Sequence, residues 1–267
     1  MNNSKGMMMK RTKLAWGLCV LLFSSAVTAA WQGRMTENDA IDKAGMQRML
    51  SQRILKSYCE LGLGEDHGTS KEQLLQAVNL FDAHLLQLES FPADDAVKAS
   101  LAKVREVWGP YRDLAVKAPG KDGARLMLEI NHQLLPLTHD VVVKMEQASG
   151  TTSGRLVNVA GRQRMLSQRL AMFYLLKLWG VGGPAEDGLA DTAAKEFAAG
   201  LKELRAFRAN PKEAVSLLDN LERAYQLLLR ARADKAGNLS FLISTTSERM
   251  LDDADQLTGL YVALDKK

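Results

Sequence analysis

A ten-residue stretch occurs twice, as Ala44-Gly-Met-Gln-Arg-Met-Leu-Ser-Gln-Arg53 and as Ala160-Gly-Arg-Gln-Arg-Met-Leu-Ser-Gln-Arg169, and an offset of 116 carries one copy onto the other. The copies differ only at Met46 versus Arg162. A fold built on this chain has to give two near-identical segments equivalent surroundings, which points to an internally duplicated architecture. Packing alone tolerates exchange among apolar residues of similar volume. Here Gln47, Arg48, Ser51, Gln52 and Arg53 recur as the polar residues Gln163, Arg164, Ser167, Gln168 and Arg169. The stretch therefore reads as a site, with its Met and Leu residues as core.

Both copies fall inside long helical patterns. From Thr36 the residues Ile41, Met46, Met49, Leu50, Ile54, Leu55, Tyr58 and Leu61 follow helical spacing, and the run stops at Gly62-Leu-Gly64. Capping groups at Thr36–Asp39 start it. Ser70 is expected to cap a second helix to Ser90, and a third is expected from about Asp94 to Lys117, bent near Pro110. A fourth spans about Ala124 to Ala148 and contains Pro136. Ser149-Gly-Thr-Thr-Ser-Gly154 marks the boundary, after which helices are expected over about Ser153–Trp179, Asp191–Ala209, Pro211–Ala233 with Asn210 as the cap, and Lys235–Ala263. No stretch sustains the alternation of a strand. The expected fold is all-α, two four-helix-bundle units (31–149 and 150–267) in tandem or joined as one longer bundle.

The first thirty residues differ in kind. Lys10, Arg11 and Lys13 precede the apolar run Leu14 to Val27, which ends in Thr28-Ala29-Ala30, the pattern of a secretory signal peptide cleaved after Ala29 or Ala30. A retained anchor is the competing reading, but the run falls short of the roughly 20 residues that span a bilayer. Export would place the protein in the periplasm. Four of the 35 basic residues lie in this leader, leaving 31 against 31 acidic ones, so no basic footprint for nucleic acid remains. Of the two cysteines only Cys59 lies outside the leader, which excludes an intramolecular disulfide in the mature chain.

On a helix, Ala44, Arg48, Ser51 and Gln52 share a face with Gly45 beside them, and Arg53 points roughly 140° away. The small residues let another helix approach, and Arg164 repeats the arrangement with Ala160, Gly161, Ser167 and Gln168. If the copies pack face to face, Arg48 and Arg164 meet in a desolvated seam. An anion bridging them would relieve their repulsion, and the guanidinium fork suits a planar oxyanion such as nitrate, nitrite or a carboxylate. Gln47, Gln163, Ser51 and Ser167 can add polar contacts. The same juxtaposition can arise within one chain or across a homodimer. The bland alternative pairs each Arg with an acid on a neighbouring helix, such as Glu129, Glu146 or Glu248, and it is the favoured reading for Arg53 and Arg169.

Asp42-Lys-Ala-Gly-Met-Gln-Arg-Met-Leu-Ser-Gln-Arg53 and Asn158-Val-Ala-Gly-Arg-Gln-Arg-Met-Leu-Ser-Gln-Arg169 resemble the P-box of nitrate/nitrite sensor histidine kinases, approximately Asn-Lys-Ala-Gly-x-x-Arg-Met-x-Ser-x-Arg, which also marks the PilJ-type N-terminal domain of type IV pilus methyl-accepting transducers. The resemblance implies an extracytoplasmic helical-bundle sensor whose anion is bound by Arg48 and Arg164, with the backbone at Gly45 and Gly161 beside them. Lys43 matches the pattern's Lys, and Val159 departs from it. With no kinase or transmitter segment in the sequence, a signal is expected to leave through a membrane-bound sensor kinase or transducer. The alternative is an interaction module that docks to a receptor without a small ligand.

An enzyme is not expected. Glu129-x-x-His132 could contribute to a di-iron site in a bundle, but such sites use two copies and the second unit has no matching His. No metal or cofactor is expected.

Overall fold

The computed structural model describes residues 35–65, 68–234 and 238–266. The leader and its cleavage site lie outside the described residues. Among these there are eight α-helices and no strand: α1 (Glu37–Gly62), α2 (Ser70–Ser90), α3 (Asp95–Ala115), α4 (Lys121–Ser149), α5 (Thr152–Leu178), α6 (Pro184–Arg205), α7 (Lys212–Ala233) and α8 (Ser240–Val262), followed by a 3-10 turn at Ala263–Lys266. None of them is long and apolar enough to cross a membrane.

Local chemistry sets the helix starts. Thr36 and Asp39 form a reciprocal capping box at α1, Asp94 accepts from the Val97 amide at α3, and Thr151 accepts from the Gly154 amide at α5. The joint between α4 and α5 is tight because Gly150 takes a left-handed conformation (φ 59°), which ends α4 and turns the chain directly into the α5 cap.

Helices α1 and α5 are the central pair and pack on each other. Helix α1 also packs on α2 and α4, and α5 on α6 and α8, while α3 lies on α4 and α7 on α8. Residues 35–267 thereby form one compact unit, so the two sets of four helices are joined. Being surrounded, the central helices are buried almost all round: between Ala44 and Glu60 only Met46 and Arg53 are half-exposed, and between Ala160 and Leu176 only Arg162, Arg169 and Tyr174. The outer helices bury a single face. Phe81 of α2 stacks on Trp108 of α3 at 3.8 Å between ring centroids, and Phe197 of α6 on Tyr225 of α7 at 4.8 Å.

Several boundaries differ from the sequence expectation. Helix α6 begins at Pro184, seven residues before the expected Asp191, because proline suits the first helical position and the Glu186 carboxylate accepts from the Gly183 amide. It ends at Arg205 rather than Ala209. Asn210 is not a helix cap: its amide donates to the Leu204 carbonyl at 2.7 Å and its oxygen accepts from the Tyr261 hydroxyl, so Pro211 occupies the cap position. Thr69, not Ser70, precedes the first residue of α2.

Candidate functional site

The two repeated stretches face each other across the α1–α5 contact, within one chain. A Cβ on Gly45 would lie 3.4 Å from Arg48 Nη2 and 3.6 Å from Arg164 Nη2, and one on Gly161 would lie 3.1 Å from Arg164 Nη2 and 3.7 Å from Arg48 Nη2. Both guanidiniums thus occupy the space that the glycines leave open. Their contacts follow the 116-residue offset: Arg48 Nη2 donates to the Asn158 carbonyl at 3.3 Å, and Arg164 Nη2 to the Asp42 carbonyl at 3.5 Å. Gln52 donates to Asn131 and Gln168 to the Ser247 carbonyl, again equivalent positions.

The symmetry of placement is broken in charge. Arg164 donates to Asp42 Oδ1 at 2.5 Å and to Asp255 Oδ1 at 2.7 Å. Burial pulls its pKa down, but the two carboxylates override this and hold it above the usual arginine value. At the equivalent positions around Arg48 stand His139 in place of Asp255 and Asn158 in place of Asp42. No carboxylate lies in ion-pairing range of Arg48 among the described residues. Glu146 acts on it from a distance while accepting a short hydrogen bond from Asn158 Nδ2. Burial, then repulsion by Arg162 and Arg164, outweighs Glu146 and pushes the Arg48 pKa down to about 9, so the group stays protonated at neutral pH as a buried cation with no carboxylate in contact. Its Nε has no hydrogen-bond partner.

Beside Arg48 lies a cavity of about 280 Å³ between α4, α5 and α6. Arg48, Arg162 and Arg169 line it against one acid, Glu196. His139 sits between two cations, its Nδ1 at 3.1 Å from Arg48 Nη1 and its Nε2 at 3.3 Å from Arg162 Nη2. Burial and these two cations, opposed by Asp140, lower its pKa to about 4, so the ring is neutral at pH 7. A neutral imidazole has one lone pair to offer, and guanidinium groups only donate. One of the two contacts is therefore a hydrogen bond, and the other sets N–H against N–H. The arrangement has one acceptor too few, and an oxyanion entering the cavity would supply it.

The remaining candidates from the sequence lie elsewhere. The Ser51 and Ser167 hydroxyls each donate to the carbonyl three residues back, that of Arg48 and of Arg164, which binds them to their own helices. Gln47 is buried with no partner for either amide atom, and Gln163 donates to the Val159 carbonyl. Lys43 is half-buried and contributes to holding the His84 pKa near 4, after burial itself. Arg53 pairs with Glu248, which also binds the buried Lys56. Arg169 lies 5.1 Å above the Phe173 ring rather than in an ion pair. Among the described residues no group of acids, histidines or cysteines is placed to hold a metal.

Sequence reasoning missed His139, Arg162, Asp42 and Asp255 as members of the site. The signal was present: Arg162 is the single difference between the ten-residue copies, and the offset of 116 sets His139 against Asp255 and Asn158 against Asp42.

The family model described as "Type IV pili methyl-accepting chemotaxis transducer N-term" (PilJ) matches residues 31–129 and 147–255. The chain belongs to the PilJ family. Its two matched regions begin 116 residues apart, the same offset that relates the seam contacts. No curated protein and no solved structure matches the chain. The N-terminal domain of PilJ proteins is a helical sensory module, typically extracytoplasmic, and implies interaction with a transducer or other signalling partner.

Proposed function

We propose that this PilJ-family chain is a periplasmic sensory module, freed of its leader near Ala29 or Ala30, that binds one small anion beside Arg48 and reports its presence to a membrane-bound sensor kinase or transducer. Its duplicated units, 31–149 and 150–267, bring the two P-box-like stretches together within one chain. The anion is not shared between Arg48 and Arg164, because Asp42 and Asp255 already neutralise Arg164. The observation that carries the reading is that Arg48 and Arg162 face the two ring nitrogens of a neutral His139, which has one lone pair between them, in a cavity lined by a third arginine. Burying an unpaired cation costs stability, and a site that keeps one gains where an incoming charge is to be recognised.

Calorimetric titration of the purified protein with nitrate, nitrite, chloride and sulfate tests this, with Arg48→Met and Arg164→Met checked for retained helicity. The expected result is saturable binding of about one anion per chain, lost in Arg48→Met. A well-folded wild type that binds none of these, nor a small carboxylate, would leave the receptor-docking module without small ligand as the better account.

A further inference from the structure

Resting on the anion reading above, we propose that the natural ligand is a small organic monocarboxylate with an apolar body, rather than an inorganic anion. The cavity is long and mixed in character. Arg162, Met165 and Arg169 are spaced three and four residues apart on one face of α5 and span about 10 Å of helix. Leu189, Ala193 and Glu196 line up in the same way on α6, as do Leu135 and His139 on α4, with Pro136 between them. At one end Arg48 and Arg162 share a single acceptor at His139, and at the other Arg169 lies over the Phe173 ring with Glu196 acting on its charge. Leu135, Pro136, Met165, Ala193 and Leu189 form the apolar walls.

Volume separates the two ligand classes. A cavity of about 280 Å³ is close to the lower bound of small-molecule pockets, roughly 300 Å³. Nitrate, with four heavy atoms, would satisfy the cationic end and leave water against five apolar side chains. A carboxylate offers the same planar pair of acceptor oxygens to the guanidiniums, and an attached hydrocarbon would displace that water. One carboxylate beside three arginines and Glu196 also leaves the site less overcharged than an added neutral ligand would.

The test is a chain-length series, acetate, butyrate, hexanoate and octanoate, titrated into the purified protein beside nitrate and the neutral hexanamide. Affinity is expected to rise about three- to fourfold per added methylene until the cavity is filled, as burial of a CH₂ group predicts. Hexanamide is expected to bind at least tenfold more weakly than hexanoate. In Leu189→Ser, checked for retained helicity, the gain in affinity from acetate to hexanoate should shrink, since Leu189 is a half-buried part of the apolar wall. Nitrate and acetate binding with no gain along the series, or hexanamide binding as well as hexanoate, would overturn the carboxylate assignment and leave the anion reading standing. Absence of binding by every anion tested, in a folded protein, would overturn both.

Discussion

Arg48 and Arg164 are equivalent in sequence, both fully buried and both at the central seam, yet their energetics are opposite. Arg164 is enclosed by two carboxylates, so removing it forfeits two charge-assisted hydrogen bonds and leaves Asp42 and Asp255 to rehydrate, which they can do because both are partly exposed. We expect Arg164→Met to lower the unfolding free energy by about 2–3 kcal/mol. Arg48 has no carboxylate partner, and replacing buried charge by an apolar residue of similar volume is often neutral or stabilising. Arg48→Met is therefore expected to leave stability unchanged or to raise it by about 1 kcal/mol, while abolishing anion binding. Urea denaturation of the two variants at pH 7 checks the contrast. Equal losses in both would mean that Arg48 is a structural residue like its counterpart, and the site hypothesis would fall with that result.

The two central helices can lie so close because small residues occur where they meet, and the same close approach shows at their C-terminal ends. A Cβ on Gly62 would come within 2.1 Å of the Trp179 ring, whose indole is itself packed at the end of α5. Helix propensity alone would favour alanine at this helical position by about 1 kcal/mol. Overpacking a rigid ring costs more, about 1–3 kcal/mol, so Gly62→Ala is expected to destabilise the protein, with a lower urea midpoint at unchanged slope. The same residue shows what a sequence can and cannot convey about elements. Gly62 was legible as the end of α1, since helix periodicity stops there, but its contact with Trp179 was not, because it joins two units through space. Long buried helices such as α1 and α5 announce themselves by period and caps. The start of α6 was misplaced because Gly183-Pro184 reads equally as the end of one element and the first turn of the next, and only the Glu186 contact to the Gly183 amide decides between them.

At the scale of the molecule, the duplication provides its own comparison. One half of the seam carries resident acids, Asp42 and Asp255, where the other carries Asn158 and His139, so the Arg164 half already holds the negative charge that the Arg48 half lacks. The repeated stretch made the seam readable from sequence; its asymmetry stood in the same offset, as Asp42 against Asn158 and His139 against Asp255, but His139 and Asp255 lie far outside the motif and gain meaning only when α4 is seen to pack on α1 and α8 on α5. The comparison also yields a substitution that should convert one half into the other. In His139→Asp, a carboxylate would stand opposite Arg48 as Asp255 stands opposite Arg164, and Arg162, now near an acid instead of a neutral ring, would gain a partner as well. The new group would be held ionised by two cations, so its contribution should persist above the usual carboxylate pKa and fade only as pH falls through the lowered value. At pH 7 the expected gain in unfolding free energy is about 1–3 kcal/mol, the range for a hydrogen bond to a charged group. Binding of the external anion should be lost in the same variant, because its place is taken. Both changes should be seen together, stability by urea denaturation and binding by calorimetry: a stabilised His139→Asp protein that still binds the anion with wild-type affinity would show that the ligand does not sit between Arg48, His139 and Arg162.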